Sequence, residues 1–177
     1  KSWLLHVTDV LGATPAQNLD MIADSVRFIA EHGREAVYDA EHFFDGYRAD
    51  RDYALATLRA AREAGAGTLV LCDTNGGMLP MGIHRVVTDV LERSGVRLGI
   101  HCQDDTSCAV ANTLAAVEAG TWHGVVAVVV DRDDDPEQQG AAVARLIRRV
   151  PGKVAIIVDT PHSDHDVPAC LAKHPMA

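Results

Sequence analysis

The chain has 177 residues and a formal net charge of −9, and no predicted helix carries a cluster of Lys and Arg. Nucleic acid is therefore not an expected partner, because proteins that bind it hold the phosphates with grouped cations. The longest apolar run, Val125 to Val130, falls far below the roughly 20 residues of a membrane-spanning helix. The first residues lack the basic-then-apolar pattern of a signal peptide. We expect a soluble, cytoplasmic protein with no membrane contact.

The cysteines are spread singly along the chain, at Cys72, Cys102, Cys108 and Cys170. They lack the paired spacing of a zinc knuckle and the small, cysteine-dense composition of a disulfide scaffold. We expect reduced thiols, and the sequence assigns none of them as a nucleophile.

Short β-branched runs alternate with amphipathic stretches about every 30 residues, the size of a βα unit. This alternation predicts a parallel α/β sheet within a single domain over residues 1–177. A closed eight-stranded α/β barrel needs roughly 250 residues, more than this sequence contains. Six strands are predicted, at Trp3–Val7, Glu35–Asp39, Thr68–Cys72, Arg97–Ile100, Val125–Val130 and Val154–Val158.

The first helix carries its own start signal. Thr14 is followed by Pro15 and by Gln17 three positions on, a pattern typical of a capping box with proline in the first turn. Gly33 and Gly65 are predicted to end the first two long helices, because glycine readily adopts the left-handed conformation that closes a final turn.

Polar residues follow the predicted strands, and in parallel α/β architectures such positions converge on one face. Buried charges must be paired, hydrogen-bonded or bound to metal, so this density of acidic and imidazole groups favours a divalent cation. The residues concerned are Asp39, Glu41, Asp73, Thr74, Asn75, His101, Gln103, Asp104, Asp105, Asp131 and Asp159.

His101 and Gln103 are two positions apart at a strand end, so both side chains are expected on the same side of the strand. That arrangement suits metal chelation. The alternative from spacing alone is a core histidine hydrogen-bonded to a neighbour.

Four ordered motifs carry a family resemblance: KSWLLHVTDVL, GREAVYDAEHFFDGYRAD, YALATLRAAREAGAGTLVLCDTNGGMLP and LGIHCQDDTSCAVANTLAAVEAG. Through them the segment 1–120 resembles the citramalate synthase branch of the isopropylmalate and homocitrate synthase family, which shares its barrel and metal site with 3-hydroxy-3-methylglutaryl-CoA lyase. The resemblance implies a partial or modified (β/α)₈ TIM barrel, in which residues 121–177 form diverged βα units and a tail.

The resemblance also implies a Claisen-type acyl transfer, in which acetyl-CoA condenses with a 2-oxo acid, most simply pyruvate. A divalent metal, Mg²⁺, Mn²⁺ or Zn²⁺, holds the keto and carboxylate oxygens and makes the keto carbon electrophilic. By position, His101 matches the first histidine of the family's metal pair, and Gln103 stands where the second would be. Glu41 matches an active-site glutamate, and Thr74 matches a residue that contacts the substrate carboxylate. Tyr38 and Asn75 lie by position at the same strand ends as these residues and are expected to help bind substrate.

The sequence departs from the family pattern in three places. Gln103 replaces a histidine, and the family's Arg-Asp-Gly and Gly-x-Gly-Glu-Arg motifs do not occur in the 177 residues. Trp3–Val7 resembles the family's third strand, so the chain is expected to hold strands three to eight with two open edges. Such edges favour pairing with a second chain, and we expect a homo-oligomer or an open sheet. A metal-dependent lyase or aldolase, and a truncated homologue without turnover, remain the alternatives.

Overall fold

A computed structural model describes residues 1–94 and 97–120, together with the backbone of two later strands. Five parallel strands pair in chain order. They are β1 (Val37–Ala40), β2 (Thr68–Asp73), β3 (Leu98–Cys102), β4 (Ala127–Val130) and β5 (Ala155–Ile157). This confirms five of the six predicted strands and their parallel arrangement.

Helices connect the first strands of the sheet, as the alternating pattern predicts. They are α1 (Pro15–Glu31), α2 (Phe43–Ala49), α3 (Arg51–Glu63), α4 (Pro80–Ser94) and α5 (Ala109–Glu118). At the start of α1, Gln17 donates its backbone N–H to Thr14 Oγ1 at 3.2 Å, and Thr14 donates its own to Gln17 Oε1 at 2.9 Å. The predicted capping box is thus confirmed. Gly33 and Gly65, just past α1 and α3, have φ angles of 70° and 107°, as expected of helix-closing glycines.

The predicted strand at Trp3–Val7 is wrong. The Trp3 carbonyl accepts hydrogen bonds from the backbone N–H groups of His6 and Val7 at 3.0 and 3.2 Å, so the segment turns helically, and a π-helical turn covers His6–Val10. Its hydrogen bonds are local and not made to a neighbouring strand. Periodicity cannot separate a helical turn from a strand in so short an apolar run.

The two faces of the sheet have different surroundings. Leu69 and Leu71 of β2 pack with Leu98 and Ile100 of β3 in the main hydrophobic core, against the helices. Alternate side chains of a strand point to opposite faces, and Val70 accordingly belongs to a separate small cluster with its neighbour at position 72. The described helices therefore pack against one face, and the opposite face carries polar groups near the strand ends.

The described sheet is open, with β1 and β5 at the two ends of its strand order. It corresponds to a partial parallel sheet with flanking helices and not to a closed barrel. Apart from the backbone of β4 and β5, the predicted βα units of residues 121–177 lie outside the described residues, as do Asp131 and Asp159. None of the described helices has the length and apolar character required to cross a bilayer.

Candidate metal centre

Three potential metal ligands meet where β1, β2 and β3 lie side by side. Asp39, Cys72 and His101 each offer one ligand atom, and these atoms all lie within 4.8 Å of one another. Cys72 of β2 is the direct register partner of His101 on β3. Because the three strands are parallel and adjacent, residues more than 60 positions apart in sequence converge at one point.

The Cys72 thiol donates to Asp39 Oδ1 at 3.0 Å, and His101 Nδ1 lies 3.9 Å from the same oxygen. The three residues differ sharply in exposure. Cys72 is only 1% exposed, whereas the side chains of His101 and Asp39 are 24% and 58% exposed. The cluster is therefore buried on the Cys72 side and accessible to solvent on the Asp39 side.

The electrostatics of the cluster follow from these contacts. Burial opposes ionisation of Asp39, but the nearby His101 imidazole and the hydrogen bond from Cys72 outweigh it and hold the pKa of this carboxyl below its ordinary value. Burial, reinforced by the adjacent Asp39 carboxylate, raises the pKa of the Cys72 thiol. At neutral pH the cluster thus contains a carboxylate and a protonated thiol beside an imidazole.

A carboxylate, an imidazole and a thiol are all established ligands of divalent metals. Three protein donors that converge from one side leave at least one coordination position for substrate, as in catalytic metal sites. The residues present therefore fit a divalent ion.

Glu41 lies in the turn directly after β1, and its backbone N–H donates to the Asp39 carbonyl at 3.0 Å. Its carboxylate accepts a hydrogen bond from Lys1 Nζ. This hydrogen bond lowers the pKa of Glu41 despite partial burial. Glu41 is consequently an ionised carboxylate next to the cluster, although it is not among the three mutually close ligands.

Thr74 follows β2, and its Oγ1 accepts the backbone N–H of His42 at 2.8 Å. His42 has a φ of 58°, uncommon for a residue with a side chain and often seen at functional sites. Its Nδ1 lies 3.1 Å from Asp45 Oδ2, which also accepts a hydrogen bond from Asn75 Nδ2 at 2.9 Å. The structure thus joins the loops after β1 and β2 through Thr74 and Asn75.

Aromatic rings pack beside the loop that follows β1. The rings of His6 and His42 have centroids 4.4 Å apart in an edge-on arrangement, and Trp3 lies 5.6 Å from His42. Burial and the neighbouring His42 lower the pKa of His6. The segment predicted as a first strand therefore contacts the loop after β1 through a helical turn.

Tyr38 lies elsewhere. As the neighbour of Asp39 on β1 it belongs to the helix-covered face, where it packs against the main core, and its hydroxyl is 3.4 Å from Ser2 Oγ. Asp73 is likewise buried, and it accepts the backbone N–H of Met78 at 3.1 Å. The structure brings neither residue together with the three candidate ligands.

Gln103 is one residue beyond β3 and is partly buried. Its backbone N–H donates to the Asp73 carbonyl at 3.2 Å, so pairing between the two strands continues past their ends. Its role as a metal ligand stays a prediction. Sequence reasoning placed Asp39 among the strand-end residues but assigned no role to Cys72. The available signal was the position of both Cys72 and His101 at the ends of buried strands.

Comparisons with known proteins agree with this architecture. The HMGL-like family model matches residues 3–129. The chain is similar to the (R)-citramalate synthase of Streptomyces coelicolor, with 58% identity over 123 residues that cover 70% of this chain and 23% of that protein. It is also similar to the (R)-citramalate synthase of Sulfolobus acidocaldarius, at 50% identity over 70% of this chain and 24% of that protein. The (R)-citramalate synthase of Synechocystis sp. is 52% identical over 68% of this chain and 23% of that protein. The matched segment thus spans about a quarter of these curated relatives.

Proposed function

We propose, since this chain belongs to the HMGL-like family, that the protein condenses acetyl-CoA with a 2-oxo acid at a divalent metal, with pyruvate as the preferred acceptor. The observation that carries the proposal is the family match over residues 3–129. That stretch includes every strand-end residue of the candidate centre, from Asp39 to Gln103. The name shared by the similar proteins, (R)-citramalate synthase, favours pyruvate over longer acceptors.

The reaction forms a bond between the methyl carbon of the acetyl group and the keto carbon of the 2-oxo acid. A methyl proton is lost to a base, the keto oxygen gains a proton, and water then hydrolyses the thioester to release CoA. A bound divalent ion supplies Lewis-acid polarisation of the keto group. His101 is the residue we assign to hold it by both motif and geometry.

The remaining residues bind and orient the substrates. Thr74 Oγ1 already accepts the backbone N–H of His42, which fixes the oxygen and leaves the hydroxyl proton to donate to the substrate carboxylate. Glu41 is ionised at neutral pH because the hydrogen bond from Lys1 Nζ lowers its pKa, and we assign it to the active site by its position in the motif. Asn75 lies on the loop beside Thr74 and is proposed to contact the same acceptor.

The test is release of free thiol from acetyl-CoA by the purified protein in the presence of Mn²⁺. We expect release only when a 2-oxo acid is also present, faster with pyruvate than with 2-oxoisovalerate, and none after chelation. His101→Asn is expected to lower the rate at least 100-fold, whereas the matched variant His84→Asn on α4 retains it. Thiol release without a 2-oxo acid would indicate a thioesterase and contradict the proposal.

One observation favours a second candidate, a metal-binding relative without turnover. Gln103 stands where the family has a histidine, and an amide oxygen binds most divalent transition metals more weakly than imidazole does. Metal binding without any thiol release, under conditions that support a citramalate synthase control, would support this candidate over the enzyme.

A further inference from the structure

We propose that Asp39, Cys72 and His101 together form a three-ligand site for a thiophilic divalent cation of the Zn²⁺ or Co²⁺ class. The inference deepens the proposed function and rests on it only for the use that the protein makes of the ion. It assigns Cys72 and Asp39, neither of which belongs to the His101 and Gln103 pair expected from the sequence, as ligands.

The spacing of the donors supports this assignment. In a tetrahedral site with metal–ligand distances of about 2.0–2.3 Å, neighbouring donors are about 3.3–3.6 Å apart. Here Asp39 Oδ1 lies 3.0 Å from the Cys72 sulfur and 3.9 Å from His101 Nδ1. These two separations lie on either side of the required value, and all three donor atoms lie within 4.8 Å of one another, so modest side-chain rotations bring them toward the geometry that binds an ion.

The surroundings of the donors also favour metal binding. Cys72 is held on β2 by register pairing with His101 and packs with Val70, so its sulfur is buried and its position is fixed by the sheet. Asp39 is on the open side of the cluster, where an ion can enter. A thiolate, an imidazole and a carboxylate form a donor set typical of zinc and cobalt, whereas Mg²⁺ prefers oxygen ligands and retains its water.

Charge and proton balance give a second signature. The thiol proton that Cys72 now donates to Asp39 must leave when the sulfur binds the ion. Binding therefore releases one proton to solvent for each cation. With one thiolate and one carboxylate on a divalent ion, the site is electrically neutral, which suits a sulfur that is almost fully buried.

Titration of the 177-residue chain with Co²⁺ tests the site without any substrate. The cobalt complex is expected to show a thiolate-to-metal charge-transfer band in the near ultraviolet and to release one proton per ion. A thousandfold excess of Mg²⁺ should leave the band unchanged, and stoichiometric Zn²⁺ should abolish it. Cys72→Ser is expected to remove both the band and the proton, and to weaken Co²⁺ binding on the order of 100-fold or more, beyond the 10–100-fold loss typical of outer-shell partners.

The matched control is Cys108→Ser combined with Cys170→Ser, which removes two other thiols and is expected to leave band, proton and affinity intact. Circular dichroism identifies a variant that has lost its fold. Because the unsubstituted chain itself must show the band, a misfolded Cys72→Ser leaves the test valid. Absence of the band in the unsubstituted chain, or its persistence in folded Cys72→Ser, would overturn the assignment. Neither result depends on thiol release from acetyl-CoA, so failure of the site and failure of the proposed reaction are distinguished.

Discussion

The thiol of Cys72 donates a hydrogen bond to Asp39 Oδ1 at 3.0 Å, across two adjacent strands and 33 positions of sequence. This contact places a buried sulfur beside an exposed carboxylate on the face of the sheet opposite the described helices. His101, the register partner of Cys72, completes the cluster. The relationship depends on strand register, since a shift of one residue would turn Cys72 toward the helix-covered face.

The burial of Cys72 predicts slow alkylation. Burial raises the pKa of this thiol and, to about 12, that of Cys102, and alkylation requires an accessible thiolate. Cys108 is partly exposed. With iodoacetamide at pH 8, peptide mapping by mass spectrometry is expected to show Cys108 modified at least about tenfold faster than Cys72 or Cys102. Equal rates would mean that the sheet opens readily around the cluster.

Asp89 ties three helices together and predicts a pH-dependent contribution to stability. Its carboxylate on α4 accepts a hydrogen bond from Tyr47 of α2 at 2.6 Å, another from Arg93 at 3.0 Å, and pairs with Arg51 of α3. Burial opposes its ionisation, but these partners lower its pKa. Asp89→Asn is therefore expected to lower the free energy of unfolding at pH 7 by about 1 kcal/mol, chiefly through the Tyr47 hydrogen bond.

The sign of the pH dependence follows from the lowered pKa. The contribution of Asp89 is complete above its ordinary pKa and is lost as the pH falls through the lower folded-state value. The free energies of unfolding of the parent chain and of Asp89→Asn, measured by urea denaturation, should therefore converge below about pH 4. Asp24→Asn is the control, because its 76% exposed side chain pairs only within α1 and should change stability by less than about 0.5 kcal/mol. A constant difference at all pH values would exclude a role for the Asp89 charge.

Gly46 is predicted to tolerate no side chain. A Cβ at this position in α2 would lie 2.2 Å from the backbone oxygen of Ser2, and a backbone atom cannot move aside as a side chain can. Gly46→Ala is expected to destabilise the protein by about 1–3 kcal/mol, the range of overpacked sites. A Cβ added at Gly77 would lie 4.0 Å from its nearest neighbour, the backbone oxygen of Asn75. The melting temperature of Gly77→Ala should therefore match that of the parent chain. An unchanged melting temperature for Gly46→Ala would place the N-terminal segment elsewhere.

The capping box of α1 predicts a modest cost for its loss. Thr14→Ala removes the side-chain acceptor of the Gln17 N–H and is expected to lower stability by about 1 kcal/mol. Ser25→Ala, at an exposed position within α1, should be neutral or slightly stabilising because alanine is the better helix former. The comparison by urea denaturation separates capping from helix propensity, and equal effects of the two substitutions would contradict the capping role.

Several features of this fold were predictable from local sequence. The run Thr68–Cys72 is long enough and sufficiently apolar to be read as a buried strand, and Thr14 with Gln17 marks the start of α1. His101 was found because it follows such a run. Trp3–Val7 was misassigned because its pattern fits both a strand and a helical turn, and only its local hydrogen bonds decide between them.

The partners of His101 were not predictable in the same way. Sequence spacing pointed to Gln103, two residues on, which stays a prediction, whereas Cys72 and Asp39, which the structure places close to His101, lie on two other strands. Their proximity depends on the register between strands separated by about 30 residues, which no local pattern encodes. Tyr38 and Asp39 show the same limit, because neighbours on one strand reach opposite faces and the sequence alone did not assign either residue to a face.

Carbon–carbon bond formation is tested most directly by following the methyl carbon of the acetyl group. With acetyl-CoA labelled with ¹³C in its methyl group, pyruvate and a divalent metal, we expect a ¹³C signal from a methylene carbon bonded to the former keto carbon of pyruvate. Chelation of the metal should abolish this signal. Label recovered only in acetate, or remaining in acetyl-CoA, would contradict carbon–carbon bond formation by this protein.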